Sequence, residues 1–202
     1  MKKIILVGGG GHCMSCIDVV EASGAFEIIG FVDNASSAQL SQEISFLGSD
    51  KDLPDLYKDE HCALVTVGQI KTSETREKIF NLLQSLNFIM PTIVSPNSVI
   101  AKNSIIEEGT IVMHQCVINA CASIGKNCII NTKALLEHEV IVHSHCHIST
   151  GAIVNGGAII DGGSFIGSGS VIFEGIKIGA NSIISAGSIV RKDLPANSFF
   201  KG

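Results

Sequence analysis

The sequence has no tryptophan and only one tyrosine, and aromatic residues make up 5% of the chain. Charged residues are also scarce, at 16%, whereas 46% of the 202 residues are hydrophobic, which excludes a chain that is mainly disordered. The hydrophobic content comes mostly from Ile, Val and Ala instead of aromatic residues. This composition favours a β-rich protein with a uniform core.

Three further absences limit where the protein works and what it binds. No apolar run approaches the roughly 20 residues of a membrane helix, and the start of the chain reaches Gly8 after only four apolar residues, too few for a signal peptide. The net charge of −5 provides no field that would attract nucleic acid. We therefore expect a cytoplasmic protein without a membrane span or a nucleic-acid partner.

The seven cysteines are an odd number and follow no regular spacing. Such a set is typical of a reducing compartment, and we expect free thiols. Cys13 and Cys16 have a redox-type spacing. Because they lie inside a predicted helix, we interpret them as packing residues.

The first 93 residues alternate short apolar runs with amphipathic stretches. Strands are predicted at residues 3–7, 27–33, 63–67 and 89–93, and helices at residues 14–23 and 73–86. In the second helix, Ile79, Leu82, Leu83 and Leu86 recur at helical spacing. The pattern predicts an α/β domain of Rossmann-like type, with a small parallel sheet flanked by helices.

From Val94 onward the period of the sequence changes to six. Every sixth residue is then Ile, Val or Leu, seventeen times in succession: Val94, Ile100, Ile106, Val112, Ile118, Ile124, Ile130, Leu136, Val142, Ile148, Val154, Ile160, Ile166, Ile172, Ile178, Ile184 and Val190. The residue four positions after each of these is small in nearly every unit, and only Ile176 and Leu194 are large. One large and one small inward residue per six is the hexapeptide signature of a parallel β-helix.

This periodicity also predicts the size and shape of the second domain. Three units close a triangular coil of about 18 residues, so the segment from Val94 to Val190 forms about five coils that bury one another's apolar faces. We therefore predict two domains, an α/β domain over residues 1–93 and an all-β parallel β-helix over residues 94–202.

His138 is a candidate general base at a corner of the predicted β-helix. Glu137 and Glu139 flank it, and a carboxylate beside a histidine fixes its tautomer and raises its basicity. One coil later, Gly156 leaves space beside His138 and an accessible backbone N–H for an oxyanion. A solvated corner histidine without a function is the alternative.

The segment from Gly8 to Gly11 and His12 follows the first predicted strand and opens the first helix. A glycine loop at a helix N-terminus is suited to phosphate, and Asp33 at the end of the second strand is placed to bind a ribose. The dinucleotide pattern lacks its third glycine, because Cys13 stands there. A mononucleotide therefore fits better than a nicotinamide cofactor.

His147 interrupts a column of aliphatic residues in the repeat. It lies nine residues after His138, half a coil away, so we expect it on another edge of the prism, where a neighbouring prism would bring it near a second site. The cluster of His143, His145, Cys146 and His147 has an alternative interpretation as a metal site. Alternation of side-chain direction along a strand argues against that alternative.

Taken together, the motifs resemble the NeuD/PglD-type sugar acetyltransferases of the hexapeptide-repeat superfamily. The resemblance covers nearly the whole chain and is carried by the following segments: residues 8–12, 31–33, 67–69 with Arg76, 130–132, 137–139, 147–149 and 154–157. It implies a left-handed β-helix, a homotrimer with active sites between neighbouring prisms, acetyl-CoA as co-substrate, and no metal.

The resemblance also assigns roles to individual residues. His138 would be the base and Glu139 its orienting carboxylate. The substrate would be held by Gly8, Gly10, Gly11, His12, Asp33, Gly68, Gln69 and Asn131. The coenzyme would be held by His147 of an adjacent subunit and by Gly156, Gly167, Ser168 and Ala186.

The expected activity is N-acetylation of a UDP-4-amino-4,6-dideoxy sugar in bacillosamine- or legionaminic-acid-type glycan biosynthesis. O-acetylation of a sialic acid is the alternative within the same family. Two alternatives from other classes are a trimeric scaffold whose N-terminal domain senses a nucleotide, and a nicotinamide-linked oxidoreductase.

Overall fold

The computed structural model describes residues 1–34, 44–57 and 61–202. Its N-terminal part contains a four-stranded parallel sheet with the strand order β3-β2-β1-β4. The strands are β1 (Lys2–Val7), β2 (Phe26–Val32), β3 (Phe46–Gly48) and β4 (Cys62–Val65). The helices are α1 (Gly11–Ser23), α2 (Leu53–Leu56) and α3 (Glu74–Ser85), with a 3₁₀ turn at Asp50–Asp52.

The predicted strand at residues 89–93 is wrong as an element of this sheet. Ile89 forms only an isolated bridge with Cys62, and Ile93 pairs with Ile111 in the second part of the chain. The periodicity also did not predict β3. In α1, Cys13 and Cys16 are fully buried and unpaired, and burial raises the pKa of Cys13 to about 11, so they act as packing residues.

The remainder of the chain forms the predicted left-handed β-helix of short parallel strands. Sheet I contains β5 (Ile93–Val94), β8 (Ile111–Val112), β11 (Ile129–Ile130), β14 (His147–Ile148), β17 (Phe165–Ile166), β20 (Ile183–Ile184) and β22 (Phe199–Phe200). Sheet II contains β6 (Val99–Ile100), β9 (Val117–Ile118), β12 (Leu135–Leu136), β15 (Ile153–Val154), β18 (Val171–Ile172) and β21 (Ile189–Val190). Sheet III contains β7 (Ile105–Ile106), β10 (Ser123–Ile124), β13 (Ile141–Val142), β16 (Ile159–Ile160) and β19 (Lys177–Ile178).

The six-residue register of the sequence is the register of the structure. Strand partners lie 18 residues apart, as for Ile130 and Ile148, and both of these side chains are fully buried. The last coil is two residues shorter, because Ile183 pairs with Phe199 and Ile178 bridges Leu194. The regular repeat therefore ends after Val190.

Each coil turns three corners, and these corners position the candidate site residues. Corner A joins sheets I and II and includes residues 131–134, 149–152, 167–170 and 185–188. Corner B joins sheets II and III and includes residues 137–140, 155–158 and 173–176. Corner C joins sheets III and I and includes residues 125–128, 143–146, 161–164 and 179–182.

The N-terminal domain packs on the outer face of sheet I. Buried residues of β1 and α1 belong to the same hydrophobic cluster as those of the β-helix, so the core is continuous across the two parts. Asp18 of α1 accepts a hydrogen bond from His114 Nε2 (2.7 Å), and His114 Nδ1 lies 2.6 Å from Ser95 Oγ. These contacts fix the orientation of α1, whose N-terminus carries the glycine loop.

No helix in the described ranges is both long enough and apolar enough to span a membrane.

Candidate active site

A cleft of about 760 Å³ lies at the carboxyl ends of the N-terminal strands, where open parallel sheets bind ligands. Six of the predicted substrate residues line it, namely Gly8, Gly10, Gly11, His12, Asp33 and Gly68. Helix α1 begins at Gly11 with no side-chain cap, so its first N–H groups point toward this space. The cleft therefore suits a ligand that carries negative charge.

Close contacts between the glycine loop and its neighbours shape the cleft. The Asp33 carboxylate accepts a hydrogen bond of 2.6 Å from Gly9 N, which ties the end of β2 to the loop. Gly8 has a φ of +116°, and a Cβ added there would lie 2.5 Å from Val67 Cγ2. Glycine is therefore required at position 8, both by backbone conformation and by the approach of Val67.

His12 brings a neutral imidazole to the cleft. Burial, together with the positive charges of Arg76 and His147, lowers the pKa of His12 to about 4. Its Nε2 is buried and has no hydrogen-bond partner within the described part of the chain. A buried nitrogen left without a partner is costly, so His12 is suited to a hydrogen bond with a bound molecule.

Sequence reasoning missed four further residues that line the cleft: Asn34, Asp50, Thr75 and Lys78. Asn34 Nδ2 donates to Asp50 Oδ2 (2.5 Å), and Asp50 N donates to Asn34 Oδ1 (3.1 Å). Thr75 and Lys78 lie on α3, which the sequence identified only by its apolar face. Because all four reach the cleft through the tertiary fold, no local motif marks them.

His147 lies in a different place from the one predicted. Its side chain is only 7% exposed and is covered by the N-terminal domain of the same chain. His147 Nδ1 donates to the Gln69 carbonyl oxygen (2.7 Å), and Asn131 Nδ2 donates to His147 Nε2 (3.1 Å). The ring lies 6.3 Å from that of His12. The interruption of the aliphatic column was thus a signal for contact between the domains.

These bonds fix the chemical state of His147. A carbonyl oxygen can only accept, so the proton is on Nδ1. Burial, with a smaller contribution from Arg76, lowers the pKa of His147 to about 4 although the bond to Gln69 opposes this. Both ring nitrogens are occupied within the chain. The coenzyme contact expected of His147 stays a prediction.

Gln69 and Asn131 lie beside the cleft and do not line it. The Gln69 side chain donates from Nε2 to the carbonyl oxygen of Gly163 at corner C (3.0 Å), and its Oε1 is buried without a partner among the described residues. Asn131 Oδ1 accepts from Thr132 N (2.8 Å). Their side chains thus support His147 and the join between the domains.

His138 and Glu139 occupy corner B, where both side chains are exposed. His138 Nδ1 lies 3.2 Å from Glu139 Oε2. Because a carboxylate accepts the Nδ1 proton, Nε2 is left with a lone pair that can accept a proton. Glu139 has a φ of +60°, as the third residue of many other corners does, so this conformation belongs to the repeat.

Gly156 lies directly beneath the imidazole of His138. A Cβ added at Gly156 would lie 2.6 Å from His138 Cε1 and Nε2, so only glycine allows the ring this position. The Gly156 N–H forms no hydrogen bond in the described part of the chain. Gly156 thus lies next to His138, as the sequence predicted, while the role of its N–H at an oxyanion stays a prediction.

Gly167, Ser168 and Ala186, the remaining predicted coenzyme residues, lie at corner A. Ser168 Oγ is 2.9 Å from Ser149 Oγ. A Cβ added at Gly167 would lie 2.5 Å from Ala186 N, which shows how closely the backbones of neighbouring coils approach here. These residues stack above Asn131 and follow the same corner along the prism.

The structure thus assembles the predicted residues into two groups on one chain. The cleft, His147 and corner A form one group, and His138, Glu139 and Gly156 at corner B form the other. Sheet II separates the two corners.

The histidines at residues 143–147 do not converge on a metal site. His143 Nε2 lies 3.6 Å from Asp161, His145 Nδ1 is 2.9 Å from Asn127 Nδ2, and His147 Nδ1 is bonded to the Gln69 carbonyl oxygen. In the described ranges, no group of three or more His, Cys, Asp or Glu side chains could hold a metal ion.

Comparison with known proteins identifies relatives of both parts of the chain. Residues 3–83 match the family model described as the PglD N-terminal domain. Perosamine N-acetyltransferase from Caulobacter crescentus, solved with CoA and GDP-perosamine, is 28% identical and has a TM-score of 0.91 over 98% of this chain and 92% of that one. No curated protein matches the chain.

Two further structures have the same architecture. The acetyltransferase domain of PglB from Neisseria gonorrhoeae, solved with acetyl coenzyme A, is 25% identical with a TM-score of 0.89 over 96% of this chain and 93% of that one. WeeI from Acinetobacter baumannii shares the fold at 23% identity, with a TM-score of 0.85 over 98% of this chain and 95% of that one.

These comparisons confirm the expected resemblance to the NeuD/PglD-type sugar acetyltransferases, the fold class, and the enzyme class, which is an acyltransferase.

Proposed function

We propose from this resemblance that the protein transfers the acetyl group of acetyl-CoA to the amino group of a nucleotide-linked 4-amino-4,6-dideoxy sugar. The observation that carries the proposal is the coexistence of two features in one chain. One is a glycine-lined cleft with the unpartnered Nε2 of His12, and the other is the His138–Glu139 pair above the open corner at Gly156. A nucleotide sensor or a scaffold would not need the second feature.

The proposed mechanism follows from the proton positions at corner B. Glu139 accepts the Nδ1–H of His138, so His138 Nε2 takes the proton of the amino group as its nitrogen attacks the thioester carbon. The Gly156 N–H donates to the oxyanion of the tetrahedral intermediate. The C–S bond then breaks, and His138 returns the proton to the leaving thiolate. Each of these contributions is worth roughly a hundredfold or more in rate.

The acceptor binds in the cleft under this proposal. The N-terminal N–H groups of α1 at Gly11 would hold its phosphates and Asp33 its ribose. The resemblance implies a UDP-linked sugar of a bacillosamine- or legionaminic-acid-type glycan pathway, whereas the similar Caulobacter enzyme was solved with GDP-perosamine. The test therefore compares acceptors that carry different nucleobases.

We further propose that the site is completed between copies of the chain in a homotrimer. Within one chain the cleft and corner A lie on the other side of sheet II from corner B, so His138 of one copy would act on a sugar and thioester held by another. Mixed oligomers of a His138→Asn chain and a Gly8→Ala chain would then recover activity, although each variant alone is inactive. Recovery that never exceeds the sum of the two variants would contradict a shared site.

The test of the function is a thiol-release assay with acetyl-CoA and three acceptors side by side: a UDP-4-amino-4,6-dideoxy sugar, GDP-perosamine and N-acetylneuraminic acid. Fast turnover of a nucleotide-linked amino sugar that disappears in His138→Asn supports the proposal. Turnover of N-acetylneuraminic acid alone would replace it with sialic acid O-acetylation. If correctly folded protein turns over none of the three acceptors, the proposed class of acceptor is wrong.

A further inference from the structure

Arg76 is a buried cation in the join between the two domains. Its side chain on α3 is 1% exposed. Burial lowers its pKa to about 10, which still leaves the guanidinium charged at neutral pH. Among the described residues it forms no ion pair with a carboxylate, and its Nε has no hydrogen-bond partner. A buried charge without a counter-ion destabilises the fold. The hydrogen bonds of Arg76 must therefore compensate for its burial.

Those hydrogen bonds connect one element of each domain. Arg76 Nη1 donates to the Val67 carbonyl oxygen (2.7 Å), between β4 and α3. Arg76 Nη2 donates to Asn127 O (2.7 Å) and Asn127 Oδ1 (2.9 Å) at corner C, and Asn127 Nδ2 returns a bond to the Arg76 carbonyl oxygen (3.3 Å). The planar guanidinium thus spans from the N-terminal domain to the β-helix, a geometry that lysine does not reproduce.

The segment anchored by Arg76, residues 67–69, contacts two residues of the cleft that were assigned to the acceptor, Gly8 and His12, and also His147. Val67 packs over Gly8, where a Cβ would lie 2.5 Å from its Cγ2. A Cβ on Gly68 would lie 3.4 Å from His12 Cβ. The next carbonyl oxygen, on Gln69, fixes the tautomer of His147. A shift of this one segment would therefore change all three contacts.

The charge of Arg76 acts on the same two histidines. After burial, Arg76 is the next largest cause of the lowered pKa of His12, and it also lowers the pKa of His147. With pKa values lowered to about 4, both rings stay neutral at mildly acidic pH as well as at neutral pH, so the cleft presents a neutral imidazole of His12 to the acceptor.

We propose that Arg76 is a positioning residue for the acceptor: by clamping residues 67–69 to Asn127, it places Gly8 and His12 for acceptor binding without touching the substrate. This inference rests on the proposed function. Arg76, which lies outside the cleft, should therefore control the affinity for the acceptor and leave the chemical step at corner B unchanged.

The test compares Arg76→Met, which removes both the charge and the planar guanidinium, with Arg76→Lys, which keeps only the charge. The matched control is Asp18→Asn, which weakens another contact between the same two domains, away from the cleft. Arg76→Met should raise the KM of the acceptor by about tenfold to a hundredfold, as expected for the loss of charge-assisted hydrogen bonds. Arg76→Lys should give a smaller increase, while kcat and the KM of acetyl-CoA change little.

A second readout does not depend on turnover. In histidine-labelled protein followed by NMR, the pKa values of His12 and His147 should be near 4 in the wild type and in Asp18→Asn, and higher in Arg76→Met. His147→Gln and His12→Gln variants would assign the signals. Added guanidinium should partly restore the acceptor KM of an Arg76→Ala chain.

The possible failures are distinguishable. If the wild type turns over no amino sugar, the proposed function fails, and the histidine titrations still decide whether Arg76 controls the cleft. If Arg76→Met lowers thermal stability but leaves both the acceptor KM and the titrations as in Asp18→Asn, Arg76 is only a structural link. Equal increases in the KM of acceptor and acetyl-CoA would also overturn the proposal.

Discussion

Replacement of Gly156 by alanine should lower the catalytic rate at corner B without lowering the stability of the fold. The new Cβ would lie 2.6 Å from two ring atoms of His138, well inside van der Waals contact, so the imidazole must move by about 1 Å or more. A displacement of this size at a general base costs about a hundredfold in rate. The backbone of Gly156 is outside the left-handed region, so alanine should not strain it and should even favour folding by a few tenths of a kcal/mol to about 1 kcal/mol.

The matched control is Gly157→Ala. Gly157 has a φ of +67° and open space where a Cβ would lie, so alanine there is strained but leaves His138 in place. The strain costs about 1 kcal/mol. We expect Gly156→Ala to lose about a hundredfold in kcat with a melting temperature that is unchanged or slightly raised, and Gly157→Ala to melt earlier with its kcat intact. Full activity in Gly156→Ala, measured by thiol release, would refute the assignment of the base.

Three further predictions concern the cleft and the core. Because burial lowers the pKa of His12 and His147 to about 4, the unfolded chain binds more protons than the folded chain between pH 6.5 and 4. The free energy of unfolding should therefore fall as the pH falls through this window, by up to about 1.4 kcal/mol per pH unit for each histidine. A free energy of unfolding that does not change with pH in denaturant titrations would contradict their burial. Gly8→Ala should abolish acceptor binding in calorimetry, since its Cβ would lie 2.5 Å from Val67 Cγ2, whereas acetyl-CoA binding should persist. Ile148→Ala should destabilise the fully buried core by about 2–5 kcal/mol, and a smaller change in denaturant unfolding would mean that neighbouring coils collapse onto the cavity.

The β-helix could be predicted almost completely because its rules are local. Each six-residue unit must supply one large and one small inward side chain, and the stacking of coils turns this requirement into a period that the sequence displays directly. The prediction ended where the repeat ended: after Val190 the last coil is two residues shorter, and Leu194 pairs 16 residues from Ile178. His138 and Gly156 could be placed together because one coil is one period.

The join between the domains could not be predicted in the same way. Arg76 lies on the buried face of α3 with Ile79, Phe80 and Leu83, yet its charge suggests a solvent-exposed position in a helical pattern. Its partners at Val67 and Asn127 are 9 and 51 residues away in sequence. No period of the chain relates such positions, so only the three-dimensional structure reveals the contact.

The predicted position of His147 at an edge of the prism was wrong for the same reason, whereas its contact with the coenzyme stays a prediction. Its place in a column of outward aliphatic residues indicated an edge of the prism, whereas the N-terminal domain covers sheet I at that point. The irregularity was visible in the sequence, but the residue that it faces, Gln69, belongs to the other domain.

In the proposed reaction, the acetyl group passes directly from acetyl-CoA to the amino nitrogen of a nucleotide-linked sugar, with His138 as the general base. The most direct test is NMR and mass spectrometry of the product formed from acetyl-CoA and the accepted nucleotide sugar by the wild type, Glu139→Gln and His138→Asn chains. The wild type should form one new amide on the sugar amino group, Glu139→Gln should form less of it and His138→Asn almost none. An acetyl ester on a sugar hydroxyl, or an amide formed equally fast by His138→Asn, would contradict the proposed reaction.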